Sequence, residues 1–507
     1  AMSKRRDRVR WGGLAAGPLV AVLLYQLLPA AYRGIEGEAA AFTHAGRATL
    51  AVMAWMAVWW LTEALPIPAT ALVPLAVFPL AGILPIGRAA APYGSELIFL
   101  FMGGFVLALS MQRWGLDRRI ALTTLRFVGT KPPNVIGGFM LVTATLSMWV
   151  SNTATVAMML PIALSVVDLV FSQQHGRTLT SVGALPAEDV KGRNFALSLM
   201  LGIAYAASIG GIATIIGSPP NGILVQFLRS ELDQEISFAQ WMMIGSPLVA
   251  VFLPLAWVII TWVLYPIRIE RIEGGRELVE SELRGLGRMR RGEWITMSVF
   301  FSTAALWISR PLLVTWAPLE GLSDAGIAIL AALALFVTPA ERNPPASTMD
   351  WETAVKLPWG VLILFGGGLS LAAAVQANGV AEYLGAQVTA LGGLPTVLFV
   401  LAVTAGVIFL TELTSNTATT ATLVPVLAGV AYGIGVHPDY LIFPATIAAS
   451  CAFMMPVATP PNAIVFGSGY VTIPQMCKAG LWLNLAGIVL ITVVMYLVVI
   501  PLLGLGR

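Results

Sequence analysis

Apolar runs of roughly 18 residues or more recur along the whole of this 507-residue chain, and each is long enough to cross a hydrocarbon core of about 30 Å as a helix. Strand-like alternation of apolar and polar residues is absent, so a membrane barrel is excluded, and helices remain as the spanning structure that satisfies its own backbone. A charged share of 11% against 57% hydrophobic is too small for a soluble protein of this size. The expected fold class is an all-α polytopic membrane protein with about 11 transmembrane helices. The first apolar run, near residues 11–29, lacks a small-residue cleavage site and is expected to be the first span, with Ala1 ahead of Met2 an addition to the chain.

A polar knot is set between apolar arms twice. Ser147-Met-Trp-Val-Ser151-Asn152-Thr153-Ala-Thr155 returns as Thr411-Glu-Leu-Thr414-Ser415-Asn416-Thr417-Ala-Thr419. A gapless shift of 264 positions carries one onto the other and also superposes Phe101 on Phe365, Gly103-Gly104 on Gly367-Gly368, Gly115 on Gly379 and Pro161 on Pro425. A second duplicated element follows, Gly217-Ser218-Pro219-Pro220-Asn221 against Ala458-Thr459-Pro460-Pro461-Asn462. The first copy carries 23 more residues between Pro161 and Pro219 than the second between Pro425 and Pro460, which fits a cytoplasmic excursion over 171–193. Repeats on this scale decide the architecture before any finer reading.

Orientation follows from Lys and Arg. With the basic N-terminus cytoplasmic and each knot returning its chain to the starting side, 23 of the 29 fall inside and six outside: Arg33, Arg47, Arg88, Arg229, Arg310 and Arg507. The same path sends the arm 96–114 inward and its counterpart 358–376 outward, so the repeats are expected to be inverted. Inverted repeats joined by broken helices are a signature of secondary transporters, with the binding site near the midplane between the repeats.

The knots carry the candidate chemistry. Burying Asn152 or Asn416 and the flanking hydroxyls at hydrocarbon depth without partners costs roughly 1–3 kcal/mol per group. A tight turn explains one such triplet; two at matching points of an inverted repeat call for a ligand. If a helix begins at each Ser-Asn-Thr, its free N–H groups and positive dipole end suit an anion. The arm that ends there offers unpaired carbonyls, with the hydroxyl of Ser147 or Thr411 one turn earlier, an oxygen nest for a small hard cation. Each Pro-Pro removes two donors and leaves carbonyls of the preceding half-helix free. Neither motif holds a Lys or Arg, so a divalent anion would need co-bound cations.

Other polar residues carry weaker expectations. Glu412 and Glu63 read as paired structural carboxylates before they read as proton-coupling groups. His44, His175 and His437 are expected in loops, and the glycine pairs at 103–104 and 366–368 at close helix contacts. Cys451 and Cys477 fit packing better than a disulfide or metal. Catalytic residues are none: there is no phosphate loop, no His-Glu-x-x-His and no clear catalytic pair, so neither an enzyme nor a nucleic-acid partner is expected.

At these residues the chain resembles the divalent anion/sodium symporter family of di- and tricarboxylate and sulfate transporters. The two Ser-Asn-Thr motifs, the Ser-Pro-Pro-Asn and Thr-Pro-Pro-Asn breaks and the stretch Trp59-Trp60-Leu-Thr-Glu63-Ala-Leu-Pro66 all fall in family order, and the likeness covers nearly the whole chain. The resemblance implies a homodimer in a bacterial inner membrane, two re-entrant helical hairpins and two broken transmembrane helices. It implies a scaffold part at 11–110 and 294–365, a transport part at 130–265 and 395–503 that moves as an elevator, and a cytoplasmic linker at 266–293. It implies Na+ as the co-transported ion, at sites carried over to Ser147, Ser151, Asn152 and Gly217, and to Thr411, Thr414, Asn416 and Ala458. The substrate would touch Ser151, Asn152, Thr153, Ser218, Ser415, Asn416, Thr417 and Thr459. The expected activity is sodium-coupled symport of C4-dicarboxylates such as succinate, malate or fumarate, with sodium-independent exchange, or sulfate or citrate as substrate, as the alternatives.

Overall fold

The computed structural model describes residues 2–34, 37–175, 189–272, 274–342, 345–389 and 393–505. The expected excursion over 171–193 falls largely outside them. The described chain is overwhelmingly helical, and its only strands form two short antiparallel ribbons, Ala31–Arg33 with Ala39–Ala41 and Pro339–Arg342 with Pro345–Ser347. Among the described residues six helices are long and apolar enough to cross a membrane, and shorter apolar helices accompany them.

One order of elements occurs twice. A long helix, Glu96–Trp114 or Trp359–Ala377, leads into a short one, Leu116–Leu125 or Val380–Val388. The bends turn on Gly115 and Gly379, related by the 264-residue shift and both at φ 68°, a left-handed conformation that glycine adopts without strain. Next comes a helical hairpin: Pro132–Ser147 and Asn152–His175 in the first copy, Thr396–Thr411 and Asn416–Gly433 in the second. A helix broken at the Pro-Pro pair follows, Val190–Gly210 with Pro219–Leu232, and Asp439–Ala449 with Pro460–Gly467. Each copy closes on a long apolar helix ending in a π-turn, at Ile259–Leu264 and at Met495–Val499. The duplication therefore extends well past the knots.

The two copies share one core. Phe101 and Phe365, equivalent by the shift, meet edge to face with ring centroids 4.7 Å apart. The glycine pairs sit at tight helix crossings, as their sequence predicts: a Cβ on Gly103 would lie 2.5 Å from the Ala328 carbonyl, and one on Gly367 would lie 2.3 Å from the Ala71 carbonyl oxygen. His44 opens the helix His44–Thr62 and accepts or donates with Tyr25 and the Ala81 carbonyl, and His175 closes the hairpin arm, so neither is in a loop. The linker folds in part into the helix Gly275–Gly285, which is tied to Leu116–Leu125 by Arg118 with Glu282 at 2.7 Å.

Candidate functional site at the two hairpin tips

In the first hairpin the helix Pro132–Ser147 stops at the hydroxyl that the sequence singles out, and five residues later Asn152 starts the returning helix. The Ser147 hydroxyl lies 2.5 Å from Asn152 Oδ1. Ser151 turns its Oγ to the Ala154 N–H at 3.3 Å, the N-cap geometry that satisfies an otherwise orphaned donor. Beside this tip the first broken helix opens at residues 211–218. Gly211 lies so close that a Cβ would sit 2.8 Å from Asn152 Oδ1 and 2.9 Å from the Gly217 carbonyl oxygen. Asn152 Oδ1 thus lies between the Ser147 hydroxyl and Gly211, with the Gly217 carbonyl oxygen beside the same glycine.

The second hairpin repeats the arrangement with different atoms. The Thr411 hydroxyl lies 2.6 Å from Asn416 Oδ1 and 3.0 Å from the Ala449 carbonyl oxygen. Ser415 caps the helix Asn416–Gly433. Thr414 is not part of this cluster: its hydroxyl lies 3.0 Å from the Leu410 carbonyl and 2.6 Å from Thr419 Oγ1, turned back into the hairpin. The Ala449 carbonyl, which sequence reasoning did not name, stands in the cluster instead.

Each break is held open by the asparagine of its Pro-Pro-Asn. Asn221 Nδ2 donates to the carbonyls of Gly211 and Thr214 at 2.9 and 2.8 Å, and Asn462 Nδ2 to those of Ala452 and Met455 at 3.1 and 3.0 Å. These side-chain donors satisfy carbonyls that the interruption of the helix leaves without helical partners. The two breaks meet where Ser218 and Ser450 bring their hydroxyls within 3.1 Å. A polar path therefore runs from Asn152 past Gly211 and Gly217 to Ser218, Ser450 and Ala449, and on to Thr411 and Asn416. Thr459 caps Pro460–Gly467 through the Asn462 N–H. Ser218 and Thr459 are buried, Ser151 and Thr153 are exposed, and Ser415, Asn416 and Thr417 are half-buried.

The surroundings of the tips differ. Trp149, between Ser147 and Ser151, packs against Phe238, Phe300 and Trp307, with the Phe300 ring centroid at 5.1 Å and the Trp307 ring nearly parallel. Its counterpart Leu413 is 71% exposed. Glu412 is buried and inserts its carboxylate into the second break, accepting from the N–H groups of Phe453, Met454 and Met455 and from Asn484 Nδ2. In the first copy the matching link is neutral: the Thr214 hydroxyl donates to the Met148 carbonyl at 2.5 Å.

Residues 18–505 match the family described as the sodium:sulfate symporter transmembrane region. The chain belongs to this family. Membership makes it a membrane transport protein rather than an enzyme, and the motif resemblance read from the sequence leads to the same family. A sodium-dependent dicarboxylate transporter, SdcS, of Staphylococcus saprophyticus is 42% identical over 494 residues, covering 97% of this chain and 92% of the relative. The transporter of the same name from Staphylococcus aureus strain N315 is 42% identical over 458 residues, covering 90% and 86%. Among solved structures the fold is similar to the YdaH transporter of Alcanivorax borkumensis, with TM-score 0.58, 14% identity and 96% and 97% of the two chains covered. MtrF of Neisseria gonorrhoeae is similar at TM-score 0.54, 13% identity and 82% and 84% coverage.

Proposed function

We propose that this family member is a sodium-driven symporter of C4-type dicarboxylates such as succinate, malate or fumarate. The observation that carries the reading is the pair of oxygen clusters, Ser147 with Asn152 and Gly217, and Thr411 with Asn416 and Ala449, each set where a helix begins. Hydroxyl, amide and carbonyl oxygens suit a hard monovalent cation, and the adjoining N–H groups suit a carboxylate. With no Lys or Arg in either motif, the bound cations offset the dianion, so one ligand favours the other. The two relatives at 42% identity, named as sodium-dependent dicarboxylate transporters, support the choice of ion and substrate.

In this reading Ser151, Asn152, Thr153, Ser415, Asn416 and Thr417 face the substrate, with Ser218 and Thr459 beneath it. Cations are held by the two oxygen clusters, with Ser151 and the Ala458 carbonyl as further ligands; Thr414 reaches a cation only after leaving Leu410 and Thr419. The hairpins are re-entrant, and about eleven helices cross the membrane. The transport part, 130–265 with 395–503, slides against a dimeric scaffold built from 11–110 and 294–365. Access along the first hairpin is supported by its exposed face. Ser151, Thr153, Ala157, Pro161 and Ser165 are exposed there, whereas the exposed residues of Phe238–Val258 include Met243, Val251, Leu255 and Val258, as lipid contact demands. The N-terminus is cytoplasmic in a bacterial inner membrane. Exposed Trp294 and Trp316 lie near the two ends of the helix Arg291–Leu313, whose length of about 34 Å fits the two interfaces.

The test is uptake of labelled succinate into proteoliposomes with an imposed sodium gradient, with sulfate and citrate as competitors. Sodium-dependent accumulation that fumarate and malate inhibit is the expected result. Exchange of preloaded dicarboxylate without sodium dependence would replace symport by exchange, and uptake inhibited by sulfate alone would replace the substrate.

A further inference from the structure

We propose that Glu412 is a positioning residue that makes the cation site of the second repeat the tighter of the two, so that the repeats load sodium unequally. This rests on the sodium-coupled reading above and goes beyond it, since the pseudo-symmetric motifs alone imply two equal sites.

Among the described residues, the hydrogen-bond partners of the Glu412 carboxylate are all donors. Oε1 accepts from Phe453 N at 2.7 Å, from Met454 N at 2.9 Å and from Asn484 Nδ2 at 2.8 Å; Oε2 accepts from Met454 N at 2.9 Å and from Met455 N at 3.1 Å. An acceptor-only pattern on both oxygens is that of an ionised carboxylate, and three successive N–H groups around an anion form a backbone nest. The side chain is 3% exposed, and among the described residues no Lys, Arg or His forms an ion pair with it. A buried charge with hydrogen bonds but no counter-ion draws a cation toward itself. The adjoining oxygen cluster starts one residue away, at Thr411.

The nest also orients the loop. In a trans peptide the carbonyl points away from the N–H of the next residue, so N–H groups converging on Glu412 turn the carbonyls of 452, 453 and 454 to the other side. Ala452 is then within reach of Asn462 Nδ2, which fixes the break. The first repeat does the same without charge. Position 148 is Met, and the hydroxyl of Thr214, the counterpart of Met455, bridges to the Met148 carbonyl. One site therefore adjoins a fixed negative charge and the other does not. At an effective dielectric of about 20, a unit charge shifts the binding of a cation by about tenfold or more out to a separation of about 12 Å.

The experiment is sodium activation of succinate uptake, with sodium-induced thermal stabilisation of the purified full-length protein as a second readout. Wild type is expected to resolve two unequal sodium affinities. Glu412→Gln is expected to raise the tighter half-saturation about tenfold while the weaker one, and the succinate KM at saturating sodium, change less than about threefold. Glu412→Asp, which keeps the charge, returns the tighter affinity to within about threefold of wild type. Thr214→Val, with Glu412 intact, is expected to alter the weaker affinity alone, and this holds the test open if Glu412→Gln does not fold. Sodium-dependent wild type with two equal affinities, an unchanged half-saturation in Glu412→Gln, or a Thr214→Val effect on the tighter affinity overturns the inference and leaves symport standing. Uptake by wild type without any sodium dependence removes the symport reading itself, and the inference with it.

Discussion

Phe101 and Phe365 occupy the same place in the two repeats and touch each other edge to face, with ring centroids 4.7 Å apart. A contact between equivalent residues is what the proposed inverted repeat requires on its pseudo-two-fold axis, as in an isologous interface between two subunits. In that proposal the axis passes between the helices Glu96–Trp114 and Trp359–Ala377. Replacing either ring by alanine is expected to destabilise the protein by about 3–5 kcal/mol. The double variant should fall short of the sum by about 0.5–1.5 kcal/mol, the coupling of an aromatic pair, and thermal unfolding of the purified protein measures both.

Asn416→Ala and Asn152→Ala are each expected to abolish uptake while leaving a folded protein. Each side chain places its Oδ1 beside a hydroxyl at a proposed cation cluster and lies at most half-buried, so the loss falls on the ligands more than on the core. Transport assays run beside size-exclusion and thermal profiles separate the two effects. Normal uptake by Asn416→Ala would reduce the motif to a turn.

Gly211→Ala probes the first cluster from behind. Its methyl group would lie 2.8 Å from Asn152 Oδ1, inside van der Waals contact, so the asparagine must move. The expected outcome is a sodium half-saturation raised about tenfold, since a displaced ligand forfeits a charge-assisted interaction of about 1.5–3 kcal/mol. A half-saturation equal to wild type would separate Gly211 and Asn152 from the ion.

Two cysteine pairs distinguish contacts within the moving part from contacts across it. Ser218 and Ser450, 3.1 Å apart, both belong to the proposed transport part, so Ser218→Cys with Ser450→Cys in a Cys451→Ser background should oxidise to the same extent with or without ligands. Glu235 falls in the proposed transport part and Arg310 in the proposed scaffold, and the two are joined at 2.7 Å, with Arg310 also 3.2 Å from Asp324. Cross-linking of a Glu235→Cys and Arg310→Cys pair should depend on sodium and substrate and should arrest uptake. Ligand-independent cross-linking of that pair with transport intact would exclude sliding at this boundary.

Much of the candidate site's geometry was legible because hydrophobic surroundings leave polar groups few explanations. Ser147 and Thr411 could be placed with Asn152 and Asn416 from spacing alone, since five residues across a tight turn bring helix end and helix start together. Thr414 stands away from the Thr411–Asn416 cluster for a local reason: a helical hydroxyl can return to the carbonyl four residues back, and this one does, toward Leu410. The Ala449 carbonyl and the Asn221 and Asn462 anchors depend on how a loop of ten residues folds over a break, for which no periodicity exists. Glu412 was seen as a structural carboxylate, but its partners lie some forty residues on, in a loop without any polar signal.

The unequal tips bear on how nearly balanced the two end positions of a shuttle can be. Trp149 rests on Phe238, Phe300 and Trp307, while its counterpart Leu413 is left bare. In the proposed sliding of the transport part, Phe238 travels with Trp149, which leaves Phe300 and Trp307 as Leu413 finds cover. Losing aromatic contacts of about 0.5–1.5 kcal/mol each and gaining about 1.5–3 kcal/mol for a covered leucine are opposing terms of similar size. Hydrophobic anchoring then biases neither end strongly, and a modest ligand-dependent free energy is enough to decide which way the carrier rests.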